Sequence, residues 1–224
     1  MDAEFYEKDG LRYDRVTKII DFFQPPELVE WKVKTGLKEA GRISRRALKT
    51  GSRVDELISA NPYEPAIAKK DSPETASCIE AWDSFVTDHQ PKNLIWHETL
   101  FSGELEIAGT YDFVWGDYLI DIKTSRKIKP SHFFQLGAYA LMKPEIKEVA
   151  ILRLDKNLGI YELVNSKQLG LSLENCKTGF LHLLGAYRFY QEADLALNSP
   201  KAEKEKENDS DISSQQITAA DSSI

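Results

Sequence analysis

Apolar positions recur every three to four residues through most of the first 90 residues, which is the spacing of amphipathic helices. A short hairpin, FYEKDGLRY, comes first and is predicted to turn at Asp9–Gly10. Helices are then predicted from after Asp14 to Phe23, through most of residues 27–60 and over residues 74–88. Residues 61–73 contain three prolines and are predicted to be a loop.

The period changes to two after residue 90, which is typical of strands. The stretches LIWHETLFS, EIAGTYDFVW and YLIDIKTS are each predicted to form one strand, and Gly116–Asp117 predicts a two-residue hairpin between the last two. SHFFQLGAYALM is a predicted helix with Ser131 as its N-cap. EVAILRL and GIYELV form a second predicted hairpin, and residues 167–197 form a long helix. This order predicts a mixed α/β fold with a central sheet flanked by helices.

The length of 224 residues fits one sizeable domain. We expect a single domain over residues 1–198, with a mainly helical part (1–90), a sheet with its helix (91–165) and a C-terminal helix (166–198). Residues 199–224 carry six acids, three lysines and no aromatic residue. Such a segment has little to bury, so this tail is expected to be disordered.

Composition narrows the class of protein. Hydrophobic residues make up 42% of the chain and charged residues 29%, which is ordinary for a soluble globular protein. No apolar run approaches the roughly 18 residues of a membrane span, and the N-terminus lacks the features of a secretory signal. Cys78 and Cys176 are too few for a metal site of their own and fit a reducing compartment. We therefore expect a cytoplasmic, intracellular protein with no membrane partner.

The predicted hairpin at Gly116–Asp117 aligns the charged residues that are the main candidates for a functional site. If these two residues are the whole loop, Asp112 lies directly opposite Asp121, and facing carboxylates repel each other. A divalent cation or a shared proton relieves that repulsion, and Mg²⁺ typically uses one or two carboxylates. Lys123 shares a strand face with Asp121. A salt-bridged, solvated face is the alternative, but the facing carboxylates favour a metal site at Asp112 and Asp121 with Lys123 beside it.

These residues resemble a known family. Asp112, followed after a short hairpin by Asp121-Ile122-Lys123, resembles the core motif of the PD-(D/E)XK nuclease superfamily. The stretch from Gln135 to Tyr139 is similar to the QxxxY motif of its RecB-like and lambda-exonuclease-like branch. Upstream, VTKIIDFFQPPELVEWKVKTGL and TGSRVDELI are similar to the helical N-terminal part of phage-type members. The resemblance covers roughly residues 10–165 and implies a restriction-endonuclease-like core.

The resemblance also implies roles for the motif residues. Mg²⁺ or Mn²⁺ would be held by Asp112, Asp121 and the backbone carbonyl of Ile122. Lys123 would act on the attacking water and on the phosphate oxygens. The last two motif residues, Gln135 and Tyr139, would position metal ligands or the scissile strand.

Two further acids are candidate ligands. The branch commonly has a metal-binding histidine four residues after the glycine of TGSRVDELI, and this chain has Asp55 there. Aspartate suits Mg²⁺ or Mn²⁺, although a surface acid beside Glu56 is the alternative. Glu98, in the first predicted strand, is equally consistent with a ligand and with a solvated carboxylate. His97 and His132 are expected to have surface or packing roles.

Two basic stretches are candidate contacts for DNA, despite a net charge of −7. The first is a stripe on one side of a predicted helix, which has only Glu39 as a nearby acid. We call it the basic stripe, and its members are Arg42, Arg45, Arg46, Lys49 and Arg53. The second stretch follows the strand YLIDIKTS and consists of Arg126, Lys127 and Lys129. A solvated surface is the alternative for both.

Together these features indicate a metal-dependent DNA nuclease, with an exonuclease of recombination, repair or replication favoured by the resemblance. A structure-specific or restriction-type endonuclease is the first alternative. A nuclease-fold DNA-binding protein that no longer cleaves is an alternative from another class, with Asp55 in place of histidine as its sign. Expected partners are DNA, a second copy of the chain, or a recombination or replication protein bound through the tail. A viral origin is a further expectation.

Overall fold

The computed structural model describes residues 5–199, so the tail predicted over residues 199–224 lies outside the described residues except for Ser199. Six α-helices lie within the described part: α1 (Val16–Phe22), α2 (Pro26–Thr35), α3 (Leu37–Ala60), α4 (Pro73–His89), α5 (Pro130–Met142) and α6 (Leu173–Leu197). The strands are β1 (Phe5–Lys8), β2 (Leu11–Arg15), β3 (Ile95–Trp96), β4 (Thr99–Ser102), β5 (Ile107–Thr110), β6 (Phe113–Trp115), β7 (Tyr118–Lys123), β8 (Glu148–Leu154) and β9 (Tyr161–Asn165).

The strands form two sheets. One has four strands in the order β1-β2-β5-β4, and the other has five in the order β3-β6-β7-β8-β9. In the five-stranded sheet β7 and β8 run parallel while the other neighbours are antiparallel. Helix α4 packs against β8 and β9, and α5 contacts β7 and β8 as well as β4 of the other sheet. This arrangement confirms the predicted mixed α/β fold with helices flanking a mixed sheet.

The largest described core lies between α3, α4 and the five-stranded sheet. Trp82 of α4 is fully buried there, and its ring packs edge-on against Phe113 of β6. Its indole N–H donates to the Pro62 carbonyl at 2.7 Å, which fastens the loop before α4 to the core. The apolar face of α4 therefore fixes the position of the sheet that carries the candidate site.

Two predicted strands are each broken into two, which corrects the expectation from the period-two pattern. LIWHETLFS divides into β3 and β4, and EIAGTYDFVW divides into β5 and β6; each pair has one member in each sheet. The breaks lie at the same level, because the His97 N–H donates to the Asp112 carbonyl at 3.1 Å. His97 has a φ of 50°, which turns the chain out of a straight strand.

Two predicted helix starts are also wrong. The N-cap of α5 is Lys129, and Ser131 lies in the first turn, because Pro130 takes the first helical position that proline favours. The segment predicted as one helix over residues 167–197 starts with a short 3₁₀ helix, Ser166–Leu169. Gly170 ends this helix with a φ of 72°, and α6 begins only at Leu173.

The described residues fall into two units, with the boundary inside α6 between His182 and Leu183. The first contains both sheets and helices α1 to α5; the second contains the C-terminal part of α6 among its described residues. The single domain over residues 1–198 stays a prediction. Among the described helices, none is both long enough and apolar enough to span a membrane.

Gly137 tests how closely α5 packs against α6. A Cβ at Gly137 would lie 2.2 Å from the backbone carbonyl oxygen of Cys176, which cannot move aside as a side chain could. We expect Gly137→Ala to lower the free energy of unfolding by about 1–3 kcal/mol, as overpacking does. Gly185→Ala in α6 is the matched control, since a Cβ there meets nothing within 4 Å.

The control should gain about 0.5–1 kcal/mol from helix propensity alone. Urea denaturation of both variants measures the difference. Equal free energies of unfolding for the two variants would contradict the close contact.

Candidate active site

Asp121 is a buried carboxylate in the middle of a sheet. Strand β7 lies between β6 and β8, and Leu119 and Ile120 are buried on its two faces. Asp121 is 1% exposed, and its Oδ1 accepts no hydrogen bond from any residue between positions 5 and 199. The Lys123 ammonium lies beside Oδ2, but the buried Oδ1 has no partner, and a cation or a proton there would relieve its desolvation cost.

Asp112 lies at the point where the chain leaves one sheet for the other, between β5 and β6. The predicted hairpin register is confirmed from Trp115 opposite Tyr118 to Phe113 opposite Ile120. Asp112 itself lies one residue beyond these pairs. Its Oδ2 accepts the Ile122 N–H at 2.6 Å. The Asp112 side chain thus bonds to β7 just beyond the last backbone pair between β6 and β7.

This hydrogen bond also orients the backbone of Ile122. The N–H and C=O of a strand residue point toward the same neighbouring strand. The Ile122 carbonyl is therefore directed to the edge at which Asp112 lies. That direction is compatible with the ligand role that the motif implies, which stays a prediction.

Both carboxylates have a raised proton affinity. Burial, followed by the charge of Asp121, raises the pKa of Asp112 to about 8. Burial also raises the pKa of Asp121, with the charge of Lys123 opposing it. Near neutral pH the metal-free pair therefore holds a proton that ordinary aspartates would have lost.

Lys123 joins the carboxylates to α5. Its Nζ lies 2.6 Å from Asp121 Oδ2 and donates to Gln135 Oε1 at 3.2 Å. Gln135 Nε2 in turn donates to the Tyr139 hydroxyl at 3.2 Å. Burial alone would lower the pKa of Lys123, but the charges of Asp121 and Asp112 outweigh it and the pKa is raised. Lys123 is therefore a fixed positive charge beside the acids.

Tyr139 holds this chain of contacts in place. It is 2% exposed, and burial raises its pKa, so its hydroxyl is neutral and can both donate and accept a hydrogen bond. A Cβ at Gly109 of β5 would lie 2.6 Å from Tyr139 Cε1. Only glycine lets the strand approach the ring this closely, and the approach fixes α5 between the two sheets.

The structure places Asp55 beside the acid pair and gives Glu98 other partners. The charge of Asp55 contributes to raising the pKa of both Asp112 and Asp121, although burial is the larger cause. Asp55 Oδ1 lies 3.0 Å from His97 Nε2, a contact for which the sequence had no signal. Glu98 Oε2 instead accepts hydrogen bonds from Lys143 and from the Tyr111 hydroxyl, each at 2.8 Å.

A third acid near Lys123 was missed from the sequence. Asp21, in α1, is accessible to solvent, yet protein around its carboxylate raises its pKa, while the charges of Lys123 and Lys129 lower it. Its own charge helps to raise the pKa of Lys123. No spacing rule relates α1 to the motif strand, and only the packing of α1 against α5 brings them together.

The predicted basic residues lie in different surroundings. Arg126 and Lys127 are exposed just after β7, while the charge of Lys129 reaches Asp21 and His132. Three members of the basic stripe form ion pairs: Arg42 with Glu39, Arg46 with Glu74 and Arg53 with Asp71. From the sequence only Glu39 was identified as a nearby acid, because Asp71 and Glu74 come from the loop after α3 and from α4. Contact with DNA stays a prediction.

Helix α3 separates this stripe from the acid pair. A Cβ at Gly51 would lie 3.4 Å from Thr124 Oγ1, so the side of α3 with Gly51 and Asp55 faces the end of β7. At 3.6 residues per turn, Lys49 and Arg53 lie on the opposite side of buried Val54. A ligand that touches both groups must cross α3.

The donor set fits a hard divalent cation with few protein ligands. Across residues 5–199, no group of three or more His, Cys, Asp or Glu side chains is arranged as a metal site. The Asp112–Asp121 pair nevertheless has an unpartnered buried oxygen and a proton that a cation could replace. Mg²⁺ is commonly bound through one or two carboxylates with waters completing its shell, so the pair is sufficient.

Comparisons with known proteins give weak similarities. No family model matches the chain, and no curated protein matches it. Among solved structures, an alkaline exonuclease (LHK-Exo) from Laribacter hongkongensis shares 14% identity over 82% of this chain and 93% of its own, with a TM-score of 0.39. SSO0001 shares 14% identity over 87% of each chain, with a TM-score of 0.38. The branch of the nuclease superfamily is not confirmed.

The raised pKa of Asp112 predicts a pH dependence of stability. Between its unfolded pKa near 4 and its folded pKa of about 8, the metal-free folded protein binds one more proton than the unfolded chain. Stability from this group is therefore complete below pH 4 and is lost as the pH rises to 8. The slope approaches about 1.4 kcal/mol per pH unit.

Urea denaturation in EDTA at pH 5, 6, 7 and 8 measures this slope. Burial lowers the pKa of His132 to about 3, which gives a slope of opposite sign below pH 6.5. Comparison with Asp112→Asn cancels that contribution. The wild type should lose stability relative to Asp112→Asn as the pH rises, and parallel curves would contradict the raised pKa.

Proposed function

We propose that this protein is a metal-dependent nuclease that hydrolyses phosphodiester bonds of DNA. The observation that carries the proposal is a pair of neighbouring acids, the buried Asp121 and the half-buried Asp112, held beside the positive charge of Lys123. One ammonium group and one backbone N–H do not fully compensate two neighbouring carboxylates, so keeping them together destabilises a protein that has no use for the pair. The pair matches the motif predicted from the sequence; Asp121 lies in β7, and Asp112 lies in the break between β5 and β6.

The carboxylates of Asp112 and Asp121 would hold Mg²⁺ or Mn²⁺, with the Ile122 carbonyl and Asp55 as further candidate ligands. A bound cation of this kind lowers the pKa of a coordinated water and neutralises charge on the phosphate. Asp112 must release its proton to act as a ligand, so binding is favoured as the pH rises.

Lys123 supplies a positioned positive charge. Its pKa is raised in the metal-free protein, and a protonated Lys123 would orient the attacking water and stabilise the phosphate oxygens. Gln135 fixes the ammonium group through its Oε1, and Tyr139 fixes Gln135. The charge is thus preorganised in a buried setting, where it acts more strongly than in water.

The substrate is proposed to be DNA, with an exonuclease favoured by the sequence motifs. Arg126 and Lys127 extend from the end of β7 and would contact phosphates next to the cleaved bond. Linear and closed circular DNA, each incubated with and without Mg²⁺ or Mn²⁺, test this. Cleavage of linear DNA alone supports an exonuclease, and cleavage of both supports an endonuclease. No cleavage of either would overturn the proposal in favour of a non-cleaving protein.

Metal binding at the acid pair should stabilise the fold by mass action. We expect Mn²⁺ to raise the melting temperature of the wild type at pH 8 but not that of Asp121→Ala. Glu98→Gln is the matched control, because Glu98 is bonded to Lys143 and Tyr111 and should not be needed for this shift. Equal shifts in the wild type and Asp121→Ala would place the metal elsewhere.

Lys123 should matter for turnover more than for folding. Loss of one preorganised charge of this kind typically lowers the rate by roughly a hundred- to a thousandfold. We therefore expect Lys123→Ala to lower kcat by that factor while the variant still binds DNA. Lys123→Arg keeps the charge with a different shape and should retain more activity. Lys92→Ala, an exposed lysine, is the control.

The arginine variant separates two roles of the lysine. Cleavage by Lys123→Arg at the wild-type rate would exclude proton transfer, since arginine stays charged in the working range. Cleavage by Lys123→Ala at the wild-type rate would overturn the mechanism. Single-turnover rates with end-labelled linear DNA measure both.

A further inference from the structure

A cavity lies between α3 and the start of α4, on the side of α3 that faces away from the acid pair. Its volume is about 550 Å³. Basic and hydroxyl side chains from three segments line it, and those that matter here are Lys49, Thr50, Arg53, Lys70, Ser72 and Thr75. No part of the mechanism above uses it.

The cavity has a rigid frame of ion pairs. Arg53 donates to both carboxylate oxygens of Asp71, at 2.8 and 3.2 Å, and Asp71 also accepts the Ala68 N–H at 2.8 Å. These bonds hold the loop that carries Lys70 against α3. Glu56 also pairs with Arg53, at 3.0 Å, so the acids at this cavity are already bonded to arginine.

Lys49 and Lys70 are the charges left over. Both are exposed, and neither forms an ion pair with any residue in the described part of the chain. They come from α3 and from the loop before α4, and both line the cavity. The charge of Lys70 lowers the pKa of Asp71, after the larger effect of Arg53, but Asp71 is already paired with Arg53, so both ammonium groups remain able to contact an anion in the cavity.

The hydroxyl of Thr50 supplies an independent sign of a ligand. Thr50 is 7% exposed and lines the cavity, yet its hydroxyl forms no hydrogen bond with any residue from 5 to 199. Threonine within a helix commonly bonds the carbonyl four residues earlier, and this one does not. The hydroxyl is not sealed from solvent, so it can donate to a group in the cavity.

The start of α4 contributes two hydroxyl groups to the wall of the cavity. Ser72 caps this helix of 17 residues by accepting the Thr75 N–H at 3.2 Å, and both residues line the cavity. Glu74, in the first turn, already places a negative charge at this helix end and pairs with Arg46, so the helix end itself is compensated. The cavity thus combines two ammonium groups outside ion pairs with an unpartnered hydroxyl.

We propose that this cavity is a phosphate subsite, in which Lys49, Lys70 and the Thr50 hydroxyl hold one phosphate group of a nucleic-acid strand. The identity of the strand rests on the proposed function, whereas the phosphate chemistry rests on the cavity alone. Thr50 and Asp55 are five residues apart, about 7.5 Å along a helix axis. A strand held here crosses α3 to reach the acid pair, so the subsite anchors it a short distance from the cleaved bond.

Titration with inorganic phosphate tests the subsite directly. The full chain is kept in EDTA at constant ionic strength, and the phosphate concentration at half of the maximal thermal shift is measured. Lys49→Met with Lys70→Met should raise this midpoint about tenfold or more, as loss of charge-assisted hydrogen bonds does. Thr50→Val, which keeps the shape of the side chain, should raise it about threefold.

Lys38→Met with Lys92→Met is the matched control, because it removes two exposed lysines elsewhere. General stabilisation by phosphate as a salt would appear equally in all variants. An unchanged midpoint in the Lys49 and Lys70 double variant would overturn the subsite.

Binding to a single-stranded oligonucleotide in EDTA identifies the source of the phosphate. The Lys49 and Lys70 double variant should bind more weakly, with a smaller dependence on salt than the control pair. A lost phosphate response with unchanged DNA binding would overturn the strand assignment and leave free phosphate as the ligand. Neither readout requires cleavage, so a wild type that cleaves no DNA would refute the nuclease while leaving the subsite supported.

Discussion

The rest of the structure depends on one constraint, which is the burial of the Asp121 carboxylate inside a sheet and next to a second acid. Desolvation raises the pKa of both acids, and the charge of Asp121 further raises that of Asp112. A central strand cannot expose such a group, so the surrounding structure must supply compensating charge. Lys123 supplies part of it from the same strand, and α5 holds Lys123 through Gln135.

The switch between sheets follows from the same constraint. A straight strand would place Asp112 in the ladder opposite Asp121, where its carboxylate would stand out from the sheet face and could not reach a backbone N–H of β7. The break before β6 instead lets this carboxylate accept the Ile122 N–H. The left-handed backbone at His97 bends the neighbouring segment at the same level. The irregular backbone at this point therefore positions the carboxylate of Asp112, and the regular strands of both sheets hold the two ends of the break in place.

The sequence predicted the contacts that depend on local geometry. Hairpin counting from Gly116 gave the register up to Phe113, and helical spacing gave the Gln135–Tyr139 contact. The divided strands were missed because both halves continue the same alternation, and alternation says nothing about which sheet a residue joins. Asp21 and the acids that pair with the basic stripe come from elements distant in sequence. Their positions are fixed by tertiary packing, for which a single sequence carries no pattern.

Protonation of the acid pair also explains how this fold can exist before any cation binds. A site whose acids stayed charged would lose several kcal/mol from buried repulsion in the metal-free state. Here Asp112 accepts a proton near neutral pH, which removes one of the two charges. A divalent cation at the proposed site would have to compete with that proton. The raised pKa of Asp112 is thus what lets the two acids lie close together in the metal-free fold.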